Sequence, residues 1–155
     1  LRRAMEIVPQ FDAFQDNPWP MLYKQMDEAF PGSKFILTVR DTQKWIASMV
    51  KNFGTDVTPM REWIYGVGRG FPKGNEELYI ARYNQHNEEV LEYFKGRSDL
   101  LVMNLAEGDG WEKLCPYLGV ALPQLPFPKA NVRSEKGFVG KIRKILLRTG
   151  TSGTN

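Results

Sequence analysis

Cysteine, histidine and long apolar runs are scarce in this sequence of 155 residues. It has one cysteine, Cys115, and one histidine, His86, so an internal disulfide is excluded and a zinc site, which normally needs several such ligands, is not expected. No apolar run reaches the roughly 18–20 residues of a membrane-spanning helix. No signal peptide is recognisable, because Glu6, Pro9 and Asp12 interrupt the N-terminal segment. We therefore expect a cytoplasmic protein without stable membrane insertion and without a metal site.

The charge is mildly basic and is spread along the chain. There are 21 Lys and Arg against 18 Asp and Glu, for a net charge of +3. Nucleic-acid binding would predict a denser basic stripe, so we expect no nucleic-acid partner. The one basic run, Lys141–Arg148, is interpreted as the solvated face of a helix, with an anionic membrane surface as the alternative.

Two successive helix–strand–helix patterns predict an α/β fold. In the first, a helix over 18–30 precedes a strand over 34–39, and Asp41 caps the next helix. In the second, Asn75 caps a helix that runs to Phe94, followed by a strand over 100–105 and a short helix after Gly110. A further strand is predicted over Ile7–Phe14. We expect a three-layer α/β/α sandwich with a small parallel sheet, forming one domain over 1–147 with a disordered tail over 148–155.

The most informative stretch is 34–52, where a predicted strand ends directly in Arg40. Open parallel sheets bind ligands beyond the carboxyl ends of their strands. The helix that Asp41 opens offers N–H groups and a positive dipole end to a phosphate. Arg40 and Ser48, eight residues later, could grip one phosphate from two sides. The alternative is a surface ion pair of Arg40 with Asp41 or Asp16.

This element resembles the 3′-phosphate-binding element of the P-loop sulfotransferases, which is a strand, an arginine, seven further residues and a serine on a helix. The tryptophan within it is similar to a branch of that family found in bacteria and some eukaryotes. The resemblance covers residues 10–131 and is carried by Phe35-Ile-Leu-Thr-Val-Arg40-Asp-Thr-Gln-Lys-Trp45-Ile-Ala-Ser48, Asp12-Ala-Phe-Gln-Asp16-Asn-Pro18-Trp-Pro20, Phe30-Pro-Gly-Ser-Lys34, Tyr83-Asn-Gln-His86-Asn87, Gly110-Trp-Glu-Lys-Leu-Cys115-Pro-Tyr-Leu-Gly119 and Pro126-Phe-Pro128 with Asn131.

The resemblance implies a P-loop-type fold and transfer of a sulfuryl group from 3′-phosphoadenosine-5′-phosphosulfate to a hydroxyl or amine of a small-molecule or glycan acceptor. It assigns Arg40 and Ser48 to the 3′-phosphate of that donor. Trp45 could stack on the adenine or pack against the sheet. Lys136 and Gly137 are similar to a second 3′-phosphate contact of the family, although a glutamate replaces the arginine that precedes it.

The family's glycine-rich phosphosulfate loop, broadly Gly-x-x-Arg-Thr-Gly-Thr-Ser, has no counterpart before Lys34. We therefore expect a fold truncated at its first strand. Arg148-Thr-Gly-Thr-Ser152 repeats the core letters of the loop, but Ile145 replaces its first glycine, so we interpret the segment as tail, with a rearranged loop as the alternative. Enzymatic activity is left open, since a non-catalytic nucleotide-binding or protein-interaction remnant and a kinase-like P-loop domain are the alternatives.

Two residues are candidates for the general base. His86 has the pKa range that suits this role, but it lies on the apolar stripe of the predicted helix 75–94, where a hydrogen-bonded core histidine is the alternative. Asp16 follows the predicted strand over Ile7–Phe14 and could orient or deprotonate an acceptor, or else cap the following helix. Gly66-Val-Gly-Arg-Gly70 is interpreted as a flexible loop on the substrate side, because no strand precedes it as in a nucleotide-binding loop.

Overall fold

A computed structural model describes residues 2–128. The chain divides into two compact units, 1–121 and 122–155, and every element described below lies in the first. Residues 122–128 of the second unit have no helix or strand. The predictions for Lys136 and Gly137, for a helix over Gly140–Leu147 and for the tail over 148–155 lie outside the described residues.

The described residues form six α-helices, three short 3₁₀ helices and two strands. The α-helices are Arg2–Ile7 (α1), Tyr23–Ala29 (α2), Thr42–Phe53 (α3), Pro59–Tyr65 (α4), Glu76–Tyr93 (α5) and Trp111–Leu118 (α6); the 3₁₀ helices are Val8–Gln10, Trp19–Met21 and Leu105–Glu107; the strands are Phe35–Thr38 (β1) and Leu100–Met103 (β2). The element order helix, strand, helices, strand, helix confirms the predicted α/β class.

The two strands pair in parallel, with Phe35 opposite Leu100 and Thr38 opposite Met103. Parallel strands need a crossover connection, and here α3, α4 and α5 provide it. The carboxyl ends of both strands therefore lie at the same edge of the sheet. Arg40, two residues after the end of β1, was predicted to meet a ligand at this edge.

The hydrophobic core lies between β1 and the helices α2 and α5. Leu37 packs in one cluster with Tyr23 of α2 and with Val90 and Phe94 at the end of α5, and each of the four is less than a tenth exposed. Ile36 points to the opposite face and is 44% exposed, because successive side chains of a strand alternate between faces. Burial of one face of β1 thus fixes the strand against α5.

The opposite face of the sheet is covered at β2. Met103 pairs with Thr38, so both lie on the face opposite Leu37, yet Met103 is only 2% exposed. Helix α6 contacts β2 and carries the buried Cys115. Helices therefore pack on a small parallel sheet, as the sequence predicts for this fold class.

Three local predictions differ from the structure. The strand predicted over Ile7–Phe14 is wrong, because α1 and the 3₁₀ helix Val8–Gln10 occupy its first half. The apolar stripe predicted for the helix 75–94 included Leu91, which is 45% exposed. Asn75 occupies the N-cap position of α5 without capping it, since its Nδ2 donates to the carbonyl of Phe71 at 3.0 Å.

Candidate anion-binding site

Arg40 occupies the joint between β1 and α3. The last ladder bond runs from the N–H of Val39 to the carbonyl of Met103 at 2.8 Å, and α3 begins two residues after Arg40. Arg40 is exposed, and among the described residues its guanidinium forms neither an ion pair nor a hydrogen bond. The alternative ion pair with Asp41 or Asp16 is therefore not formed, and the charge of Arg40 stays available at the carboxyl end of β1.

Asp41 uses its carboxylate as the N-cap of α3. Its Oδ1 accepts a hydrogen bond from the N–H of Lys44 at 2.8 Å, which confirms the predicted cap. The same contact takes up one of the N–H groups that the N-terminus of α3 was predicted to offer to a phosphate. The Asp41 carboxylate places a negative charge at this helix end, which opposes an anion there, so the side chains near Arg40 become candidate ligands as well.

Ser48 and Lys44 on α3 are the candidates for such side chains. Ser48 lies about 10 Å along the axis from the start of the helix, and Lys44 lies one turn before it on the same face. The Ser48 hydroxyl accepts from Asn52 Nδ2 at 3.2 Å and makes no donated hydrogen bond among residues 2–128, so its proton can be given to a phosphate oxygen. Lys44 is exposed and adds a second positive charge that the sequence-based assignment missed.

Tyr83 of α5 contacts the backbone of Arg40 and the ring of Trp45. Its hydroxyl accepts from the Arg40 N–H at 2.9 Å and donates to the Arg40 carbonyl at 3.2 Å. The Trp45 and Tyr83 rings stack with centroids 4.3 Å apart and an interplanar angle of 16°. Thr42 Oγ1 donates to Asn84 Oδ1 at 2.9 Å beside them. Helix α5 thus holds both the joint after β1 and the first turns of α3.

These contacts bear on the role predicted for Trp45. One face of its indole is covered by Tyr83, so α5 is a packing partner of Trp45. Stacking of Trp45 on adenine stays a prediction. Sequence reasoning assigned Tyr83 no role beyond its place in the motif Tyr83-Asn-Gln-His86-Asn87. The signal that could have found it is its hydroxyl group, carried by a residue of the apolar stripe of α5 that lies beside the end of β1.

His86 lies one turn after Tyr83 on α5, half-buried and against a different helix. Its ring meets that of Tyr23 on α2 edge-on, with centroids 6.0 Å apart. Burial lowers the pKa of His86, the positive charge of Arg82 lowers it further, and Glu89 opposes the shift. The imidazole is therefore neutral at pH 7, which is the form a general base needs. Its hydrogen-bonded core alternative is not formed among the described residues, and a catalytic role stays a prediction.

Asp16 lies in an irregular turn and not after a strand. Its backbone has a positive φ of 63°, and its carbonyl accepts from the N–H of Trp19 at 3.1 Å. The 3₁₀ helix that follows begins after Pro18 and has no side-chain cap, so the capping alternative for Asp16 is wrong. Its carboxylate is exposed, and a catalytic role for it stays a prediction.

The loop Gly66–Gly70 is held by two charged side chains of α4. The Glu62 carboxylate accepts from the Gly68 N–H at 2.8 Å, and Arg61 Nε donates to the Gly70 carbonyl at 2.9 Å. A carboxylate facing the loop's N–H group opposes a phosphate there, so the structure argues against a nucleotide-binding loop. The predicted flexibility is also opposed by these contacts.

The described residues meet the requirements neither of a metal site nor of a membrane-spanning helix. Among residues 2–128, no three or more His, Cys, Asp or Glu side chains are grouped so as to hold a metal ion. No helix in that range is both long and apolar enough to cross a membrane.

Comparison with known proteins gives two findings. A family model described as a sulfotransferase domain matches residues 2–136. One similar curated protein is Ava biosynthesis cluster protein M of Aspergillus versicolor, which is 23% identical over 174 residues. The alignment covers 94% of this chain and 65% of that protein, so the chain spans somewhat less than two thirds of the length of this relative.

Proposed function

The chain belongs to the sulfotransferase domain family, which confirms the resemblance of residues 10–131, and on that premise we propose that it binds 3′-phosphoadenosine-5′-phosphosulfate as the donor of a sulfuryl group. The observation that carries the proposal is the exposed guanidinium of Arg40, which has no ion pair among the described residues and follows the carboxyl end of β1. In parallel sheets this edge is the usual ligand position.

Arg40, Lys44 and Ser48 recognise the 3′-phosphate in this proposal. A guanidinium donates two parallel N–H bonds to phosphate oxygens, and the free proton of the Ser48 hydroxyl supplies a further donor. Lys44 adds positive charge without a fixed geometry. Since adenosine-5′-phosphate lacks the 3′-phosphate, discrimination between nucleotides with and without that group reports on these side chains.

The reaction is displacement at sulfur. An acceptor oxygen or nitrogen forms a bond to sulfur, the bond from sulfur to the bridging oxygen of the 5′-phosphate breaks, and 3′-phosphoadenosine-5′-phosphate leaves. The acceptor proton passes to a base, for which neutral His86 and Asp16 are the candidates on this chain.

Calorimetry with 3′-phosphoadenosine-5′-phosphate and adenosine-5′-phosphate tests the donor site. We expect the wild type to prefer the 3′-phosphorylated nucleotide and Arg40→Ala to lose about tenfold to a hundredfold of that affinity, the equivalent of one charged hydrogen-bond partner. Arg3→Ala, which removes an exposed arginine of α1, is the matched control and should bind like the wild type. Equal affinity of the wild type for both nucleotides would contradict the proposal.

Transfer is tested separately with labelled donor and a panel of hydroxyl and amine acceptors. Formation of a labelled product that depends on Arg40 supports the enzyme. Preferential binding of the 3′-phosphorylated nucleotide without any transfer across the panel favours the alternative of a non-catalytic nucleotide-binding domain.

A further inference from the structure

The hydroxyl of Tyr83 engages both backbone polar groups of a single residue. It accepts from the N–H of Arg40 at 2.9 Å and donates to the carbonyl of Arg40 at 3.2 Å. A phenol has one proton and two lone pairs, so it can do both at once. The two partners lie 43 residues apart in the chain and on different elements.

Residue 40 needs such a partner because of its place in the fold. The sheet ladder ends with the N–H of Val39, and the first hydrogen bond of α3 to a preceding carbonyl joins the N–H of Trp45 to Asp41. The N–H and carbonyl of Arg40 lie between these two hydrogen-bonded elements. Tyr83 therefore binds a backbone position whose polar groups are used by neither the β1 ladder nor α3.

The Tyr83 ring is itself held in place. Trp45 stacks on it with centroids 4.3 Å apart, and the neighbouring Asn84 accepts from Thr42 Oγ1 at 2.9 Å. Both contacts join α5 to the first turn of α3. Contacts with both α3 and α5 thus hold the Tyr83 ring whose hydroxyl binds Arg40.

We propose that Tyr83 is a positioning residue for the anion site, because its hydroxyl fixes the backbone of Arg40 and so directs the guanidinium toward the 3′-phosphate. This inference rests on the proposed function. The joint is exposed, so water can replace the hydroxyl in its absence. Loss of the Tyr83 hydroxyl should therefore leave the fold intact and should affect only the orientation of Arg40.

The test is Tyr83→Phe, which keeps the ring stacked on Trp45 and removes only the hydroxyl. We expect its affinity for 3′-phosphoadenosine-5′-phosphate to fall about threefold to tenfold, with unchanged affinity for adenosine-5′-phosphate. In the Arg40→Ala background the same change should have no further effect, since the two residues act as one unit. Tyr93→Phe is the control, because it removes another tyrosine hydroxyl from α5, one that donates to Asp27.

A second measurement follows the backbone directly and needs no nucleotide. Amide hydrogen exchange at Arg40 should be faster in Tyr83→Phe than in the wild type or in Tyr93→Phe. Undiminished nucleotide preference in Tyr83→Phe, or unchanged exchange at Arg40, overturns the inference while the proposed function stands. Absence of any preference in the wild type removes the proposed function and this inference together.

Discussion

Arg40 and Asp41 are adjacent residues of opposite charge, and the structure gives them separate tasks. The carboxylate of Asp41 accepts the N–H of Lys44 and is bound to the helix, whereas the guanidinium of Arg40 has no partner among the described residues. A direct ion pair between the two would have neutralised the site. Capping by Asp41 therefore keeps Arg40 available, although it leaves a negative charge close to any bound anion.

Replacing Asp41 separates its two effects. Asparagine caps helices about as well as aspartate, so Asp41→Asn should leave the unfolding free energy within about 0.5 kcal/mol of the wild type. Removal of the negative charge should strengthen binding of 3′-phosphoadenosine-5′-phosphate about threefold, as expected for one charge acting across solvent. Calorimetry and urea unfolding measure both quantities.

Asp41→Ala is the comparison that isolates the cap, and it should cost about 1 kcal/mol of stability. Weaker nucleotide binding by Asp41→Asn would show that the carboxylate assists the ligand instead of opposing it.

His86 predicts a pH dependence of stability. Its folded pKa lies below the unfolded value near 6.5, chiefly because of burial. The unfolded chain therefore takes up a proton first, and stability falls as pH decreases from about 6.5 toward the folded pKa. Thermal unfolding between pH 7.5 and pH 5 should show a steeper loss for the wild type than for His86→Gln; parallel curves would contradict this.

At the scale of single residues, the sequence predicts a role correctly when that role depends only on residues nearby in the chain. Asp41 as a cap and Arg40 at a strand end depend on neighbours within four positions. The partner of Tyr83 lies 43 residues away, so no local pattern indicates it. The surroundings of His86 depend on how α2 packs, and Asp16 lies in an irregular turn and not after the strand that the sequence predicted, so neither environment follows from a local pattern.

At the scale of elements, β1 shows how a single face determines a short strand. Leu37 lies in the cluster with Val90 and Phe94, whereas Ile36 on the other face is 44% exposed. We expect Leu37→Ala to lower the unfolding free energy by about 2–4 kcal/mol, from lost burial and the cavity left behind.

The matched control for that change is Ile36→Ala, which removes a similar volume one residue away and should cost less than about 1 kcal/mol. Chemical denaturation of the two variants under one set of conditions provides the comparison. Equal losses would show that both faces of β1 are packed in solution.

Elements bounded by clear turn or capping residues were predicted correctly, whereas a segment without such boundaries was not. The apolar run Phe35–Thr38 between Gly32 and Asp41 has the length and bounds of a buried strand. The strand predicted at Ile7–Phe14 failed because Arg2–Glu6 are good helix formers and extend their helix to Ile7. Pro9 then falls within the first positions of a 3₁₀ helix, where its missing N–H is tolerated.

At the scale of the whole molecule, Arg97 joins the neighbouring elements α5 and β2 to α2, whose Asp27 lies 70 residues away in sequence. From the turn after α5 it makes two hydrogen bonds of 2.7 Å to Asp27 of α2, and it also binds Asp99 just before β2. Tyr93 of α5 donates to the same Asp27 carboxylate at 2.8 Å. The sequence showed three ordinary charged residues here, because their meeting depends on how α2, α5 and β2 pack.

This cluster predicts how the molecule responds to acid. The hydrogen bonds from Arg97 hold the pKa of Asp27 below its ordinary value of 3.8, against an opposing effect of burial. A folded pKa below the unfolded one contributes stability that is complete above the unfolded value and is lost as pH falls from about 4 through the folded pKa. Asp27→Asn should therefore lower the thermal midpoint by a few degrees at pH 7, and the difference in midpoint from the wild type should narrow toward pH 3.

The control is Asp12→Asn, because Asp12 is an exposed carboxylate without an ion pair among the described residues. A difference in midpoint for Asp27→Asn that stays constant with pH would mean that the charge of Asp27 does not stabilise the fold.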